Sequence, residues 1–141
     1  MATATYLAGT QFKVGVNEAG SVDLTDQVKS ITLTRAYDSL DATSMGDTAH
    51  RDVAGLESNQ CVVTLLMSYA ASETYATIEG LVGTQCFVEA TPAAGAPAAT
   101  NPAFQLDGTF LASFDVVNST VAELSEVQLT FTNGNYTAVV A

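Results

Sequence analysis

Cationic side chains are scarce in this sequence. Lys13, Lys29, Arg35 and Arg51 are the only basic residues in 141, against 15 carboxylates. Up to position 51 six carboxylates stand against those four; beyond it come nine carboxylates and no Lys or Arg. A surface that binds nucleic acid by neutralising phosphates needs clustered Lys and Arg, so that function is excluded. The acidic excess fits solubility through self-repulsion, and equally a surface that stays near nucleic acid without holding it.

Other absences narrow the field. His50 is the single histidine, so any imidazole chemistry must pass through it. Cys61 and Cys86 lack CxxC spacing and companion histidines, which points to buried thiols and away from zinc. No apolar run approaches the ~20 residues that a membrane-crossing helix requires. MATATYLAGT has neither a basic start nor a long apolar core, so it is not expected to be a secretory signal, and synthesis in a cytoplasm is expected. There is no GxSxG elbow and no Gly-rich phosphate loop.

What is present is a patterned, 48% hydrophobic chain long enough for one domain over residues 1–141 with a core of its own. QFKVGV (11–16) places Phe12, Val14 and Val16 on one face, and SVDLT after the NEAG turn offers a partner strand. VKSITLTRAY (28–37) alternates Ile31, Leu33 and Tyr37 against Ser30, Thr32 and Thr34. NQCVVTLLMSY (59–69) has apolar residues on both faces, as a strand covered on both sides would. SETYATIEGLVG (72–83) changes period: Ser72 can cap, and Tyr75, Ile78, Leu81 and Val82 form a helical stripe before Gly83. TQCFVEAT (84–91), AFQLDGTFLASFDVV (103–117) and EVQLTFT (126–132) return to period two. All three prolines fall in 91–102, an expected surface loop, and Asn133-Gly134 predicts a two-residue hairpin closed by NYTAVV. The fold class is therefore mainly β (α+β): an antiparallel β-sandwich or barrel with one short flanking α-helix. Several strands pair an apolar face with one of Thr, Ser, Gln and Asp, which suits water or a hydrated channel.

One stretch resists this pattern. LDATSMGDTAHRDVAGLES (40–58) concentrates polar groups, and about 38–58 is expected to be a long loop. Ser44 or Ser58 with His50 and Asp47 could be imagined as a triad, but no supporting motif accompanies them. Asp41, Asp47 and Asp52 do not fit a calcium loop, because the third and fifth positions are Thr43 and Met45 and the twelfth is Asp52 without Glu. No catalytic residue, metal or cofactor is expected. Loops longer than about 12–15 residues are usually functional or disordered, so contact with a macromolecule is the leading reading.

VDLTDQVKSITL, then LDATSMGD, an Arg and AGL before a long strand, resembles the major tail (tail tube) proteins of long-tailed, non-contractile bacteriophages. LVGTQCFVEATP, the Ala/Pro/Asn loop and VQLTFTNGNY continue the likeness over about residues 10–137. The resemblance implies a structural virion protein forming hexameric rings stacked into a ring-shaped β-barrel tube, assembled in the host bacterial cytoplasm. DNA would pass through its lumen without specific binding during genome ejection. Tape measure and tail terminator proteins would be its other partners. It also implies that 40–56 is a self-assembly loop, with Asp41, Asp47 and Arg51 in intersubunit ion pairs. Leu40, Met45 and Leu56 would be apolar anchors, and Gly46, His50 and Gly55 belong to the same stretch. The alternatives are a capsid decoration or head–tail joining protein, or an adhesive or ligand-binding β-domain.

Overall fold

Period-two alternation builds the core. The computed structural model describes residues 11–93 and 96–140. In β1 (Gln11–Gly15) Phe12 and Val14 are buried; in β6 (Gln60–Leu66) so are Cys61, Val63 and Leu65; in β9 (Glu126–Thr132) so are Val127, Leu129 and Phe131. Each such side chain contributes about 1.5–3 kcal/mol on leaving water, so these three strands alone supply much of the driving force. β2 (Val22–Asp23), β3 (Val28–Thr34), β7 (Gln85–Thr91), β8 (Ala103–Leu111) and β10 (Asn135–Val139) complete the main sheet. Its order is β2-β1-β7-β8-β9-β6-β3, antiparallel throughout, with β10 also on β8. The sheet folds over so that Phe12, Val14, Val88 and Leu106 from one limb meet Val63, Leu65, Leu129 and Phe131 from the other in one cluster. The expected antiparallel sandwich is therefore present.

The fold-over point corrects one expectation. β9 and β10 do not form a hairpin with each other. β8 pairs with β9 through Phe110↔Thr132 and Leu111↔Phe131, and with β10 from Asn135↔Asp107 to Val139↔Ala103. Asn133 and Gly134, at φ 65° and 97°, thus bend a single strand path lying along one edge of β8, opposite Gly108 at φ 79°. Positive φ is what a type I′ turn needs, but it serves a bend equally well. Here β8 offers a ladder on both sides of the bend, and β6 takes the other edge of β9.

Other boundaries also move. The helical stripe yields only α1 (Thr74–Ile78), followed by turns to Gly83. Ser72 sits at φ 62° and does not cap it; the hydroxyl of Thr74 instead donates to the carbonyl of Leu66 at 2.9 Å. Ile78 and Leu81 still reach the core as the stripe requires. β8 stops at Leu111, so Ala112 and Val116 do not join the inner face, although Phe114 packs partly against it. Val16 lies outside β1 and is exposed. Cys61 and Cys86 are free and buried, as their apolar surroundings imply.

Candidate functional site

The stretch expected to be a loop is a β-hairpin standing off the main sheet. β4 (Tyr37–Asp41) and β5 (Asp52–Glu57) form a separate two-stranded antiparallel sheet, with Leu40↔Val53 and Asp41↔Asp52 in register. Every residue of β4 is exposed. That is why no alternation marked it as a strand: neither face is buried. We call residues 37–57 the arm. Its two strands approach closely at Gly55, where a Cβ would lie 3.1 Å from the Cβ of Asp38.

Local hydrogen bonds shape the tip. Asp41 accepts from the Thr43 amide at 2.9 Å, and this bond, with that from the Thr43 hydroxyl, holds its carboxyl below the usual range. Asp47 accepts from the Ser44 amide at 2.8 Å and pairs with Arg51 at 3.1 Å, while Thr43 Oγ1 accepts from the Arg51 amide at 2.8 Å. The Asp47–Arg51 pair is thus within the subunit. Met45 projects into solvent, Gly46 has open space around it, and Leu40 and Leu56 are 52% and 81% exposed. His50 makes no hydrogen bond to Ser44, Ser58 or Asp47 among the described residues, so the imagined triad does not form. No group of three or more His, Cys, Asp or Glu is placed to hold a metal among the described residues.

The arm's root is more rigidly specified than its tip. Asn59, only 2% exposed, accepts from the Ala36 amide through Oδ1 at 3.0 Å and donates through Nδ2 to the Gly134 carbonyl at 3.0 Å. Its own carbonyl accepts from the Asn133 amide at 2.7 Å. One side chain therefore ties the arm to the β9–β10 bend. Beside it Arg35 lies 4.6 Å over the Tyr136 ring and donates to Tyr37 Oη at 3.2 Å, a bond that raises its pKa further. Sequence reasoning missed Asn59, Arg35 and Tyr136, because what they do depends on contacts made across the fold.

A second surface carries ordered polarity. Cross-strand register aligns Asp23, Lys13, Glu89, Gln105 and Thr137 in one row across β2, β1, β7, β8 and β10. Gln105 Nε2 donates to Glu89 at 2.8 Å and to Glu18 at 3.5 Å. Asp107 shares this face two residues along β8. The charged groups of this face are mainly acidic, with the buried Phe87 on the same face opposite Asp107.

No protein-family model matches the chain, and no curated protein matches its sequence. Among solved structures, the SPP1 tail tube has a TM-score of 0.72 at 11% identity, covering 94% of this chain and 77% of that one. A chain in the tail of an empty GTA particle gives 0.67 at 14% identity, covering 90% and 92%. One in the anti-feeding prophage tube-terminating cap gives 0.64 at 14%, covering 100% and 95%. The likeness extends to an extracellular contractile injection system, so the shared fold does not single out non-contractile tails. At these identities what is shared is the fold.

Proposed function

We propose that the protein is a structural, non-enzymatic subunit of a phage tail tube, located in the virion tail. The observation that carries this reading is fold likeness over nearly the whole chain, 94% of it against the SPP1 tail tube. Three features of the molecule support it. β3 and β10 each pair on one edge only among the described residues, leaving edges that a second copy can extend. The arm is built of exposed residues, several of them apolar, which is costly for a solitary domain. The polar face bearing Glu18, Glu89, Gln105 and Asp107 suits the wall of a water-filled channel.

In this reading copies associate into rings, hexameric as the resemblance implies, and the rings stack into a tube. The acidic face lines the lumen, where it repels phosphates and leaves genomic DNA free to slide during ejection. The tape measure and tail terminator proteins are its other partners. Electron microscopy of the purified protein provides the test. Rings or tubes of uniform diameter are expected; a solution that stays monomeric at every concentration and ionic strength tried would refute the proposal.

A further inference from the structure

The three-stranded limb β9-β6-β3 has two unlike ends. The arm is rooted at one, between Thr34 of β3 and Gln60 of β6. At the other lies the segment 112–125, which joins β8 to β9 without regular structure. It is fixed there by Ser125, whose carbonyl accepts from the Met67 amide at 2.9 Å, and by Val116, whose carbonyl accepts from Tyr69 Oη at 2.6 Å. The seven residues of β6 hold the two ends about 20 Å apart, at ~3.3 Å per residue.

Both ends expose apolar side chains. On the segment Val121 is 95% and Leu124 77% exposed, with Val117 also exposed. Between them Ala122 holds φ 65°, a left-handed conformation that a non-Gly residue adopts only at a cost, which fits a turn kept for its presentation. Leu124 stands at the edge of a mainly polar recess of about 520 Å³ bordered also by Lys29, Asn118, Thr120, Glu123 and Glu126, in which Lys29 and Glu126 pair with each other. At the arm's root the most exposed large apolar side chain is Leu56, adjoining Arg35.

The charges complement one another locally. Arg35 has no ion pair among the described residues. Asp115 and Glu123 have no side-chain partner among them either, and 112–125 contains no basic residue. We infer that the 112–125 segment is the acceptor for the arm root of a second copy, with Leu56 packing on the exposed Leu124 and Val121 and Arg35 meeting Glu123 or Asp115. The inference rests on the tube reading and names the partner surface of its arm. Because the two surfaces differ and lie at opposite ends of one limb, the contact is heterologous and repeats head to tail, which extends an assembly instead of closing a dimer.

The test uses the full chain carrying Leu56→Cys or Leu124→Cys. Both positions are exposed and the native thiols Cys61 and Cys86 are buried, so mild oxidation reports only the new sites. Mixing the two variants should give a disulfide-linked mixed dimer on a non-reducing gel, while neither variant alone gives one. A cross-link from Leu56→Cys alone, or none from the mixture while the wild type forms tubes, overturns the contact and leaves the tube reading standing. A mixed dimer without tubes supports the contact and refutes the tube. Neither cross-link nor assembly in any sample refutes both.

Discussion

Asn59 shows how much one side chain can decide. Replacing it with alanine strips the Ala36 amide and the Gly134 carbonyl of their partners in a half-buried corner. Each buried group left unsatisfied costs ~1–3 kcal/mol, so Asn59→Ala should lose about 2–4 kcal/mol in urea unfolding. A loss under 1 kcal/mol would mean that water replaces the side chain and the arm is not held there. Cys61 is the other informative residue. Burial pushes its thiol up to about 12 from an ordinary value of 9.0, so the folded state keeps the proton that the unfolded state releases. That contribution is fully present below about pH 9 and is lost as pH rises toward 12. The stability difference between wild type and Cys61→Ala should therefore be constant from pH 7 to 8.5 and shift against the wild type above 9. Parallel profiles across the whole range would dismiss Cys61 as the source. Neither Cys61 nor the alternating residues around it needed a structure to be placed, since CVVTLL buries Cys61, Val63 and Leu65 as period two requires. Asn59 did need one, because a lone Asn before a strand carries no mark of partners 23 and 75 residues away.

Among the elements, legibility follows burial. β1, β6, β7 and β9 each bury at least one face, and their sequences alternate or run apolar accordingly. β4 buries nothing, so YDSLD reads as loop although it is strand. Asn133-Gly134 departs from the hairpin its sequence predicts for a different reason: turn residues specify a dihedral angle, and the neighbouring ladder decides whether it becomes a hairpin or a bend. The bend makes a graded prediction. At Gly134 an added Cβ would lie 2.8 Å from Thr109 Cγ2 and 3.0 Å from the Asp107 carbonyl, at φ 97°. At Gly108 φ is 79° and nothing lies within 4 Å. Gly108→Ala should cost the backbone strain alone, ~1–2 kcal/mol, and Gly134→Ala distinctly more. Chemical denaturation of the two variants decides it, and equal losses would show that the close packing at Gly134 relaxes freely. For the arm, joining Asp41 to Asp52 through a two-residue Asn-Gly turn removes exposed residues and the half-buried Asp47, whose partners Ser44 and Arg51 leave with it. It should leave the melting temperature within a few degrees while changing assembly, and a large fall in melting temperature would make the tip part of the domain's own stability.

At the scale of the whole molecule, charge opposes the association that the surfaces invite. Each copy carries a formal −11, so bringing copies together concentrates like charge, while the proposed Arg35 contact is exposed and screened by solvent. Screening lengths fall from ~10 Å at 0.1 M salt to ~3 Å at 1 M, which weakens the repulsion between whole subunits more than it weakens burial of Leu56, Val121 and Leu124. Assembly should therefore quicken and its critical concentration should fall as salt rises, the reverse of an interface held mainly by ion pairs. The acidic face supplies the internal control. Glu18→Gln, Glu89→Gln and Asp107→Asn together take −11 to −8 without touching the arm or the 112–125 segment. At low salt this triple variant should assemble at lower concentration than the wild type, and at 1 M the two should converge. Sedimentation of polymer against concentration at three ionic strengths measures both trends. If wild-type assembly weakens with salt, the polar contacts dominate and the apolar surfaces are incidental. If the triple variant assembles like the wild type at low salt, those carboxylates do not face one another across the assembly, and the acidic face is not the wall of its channel.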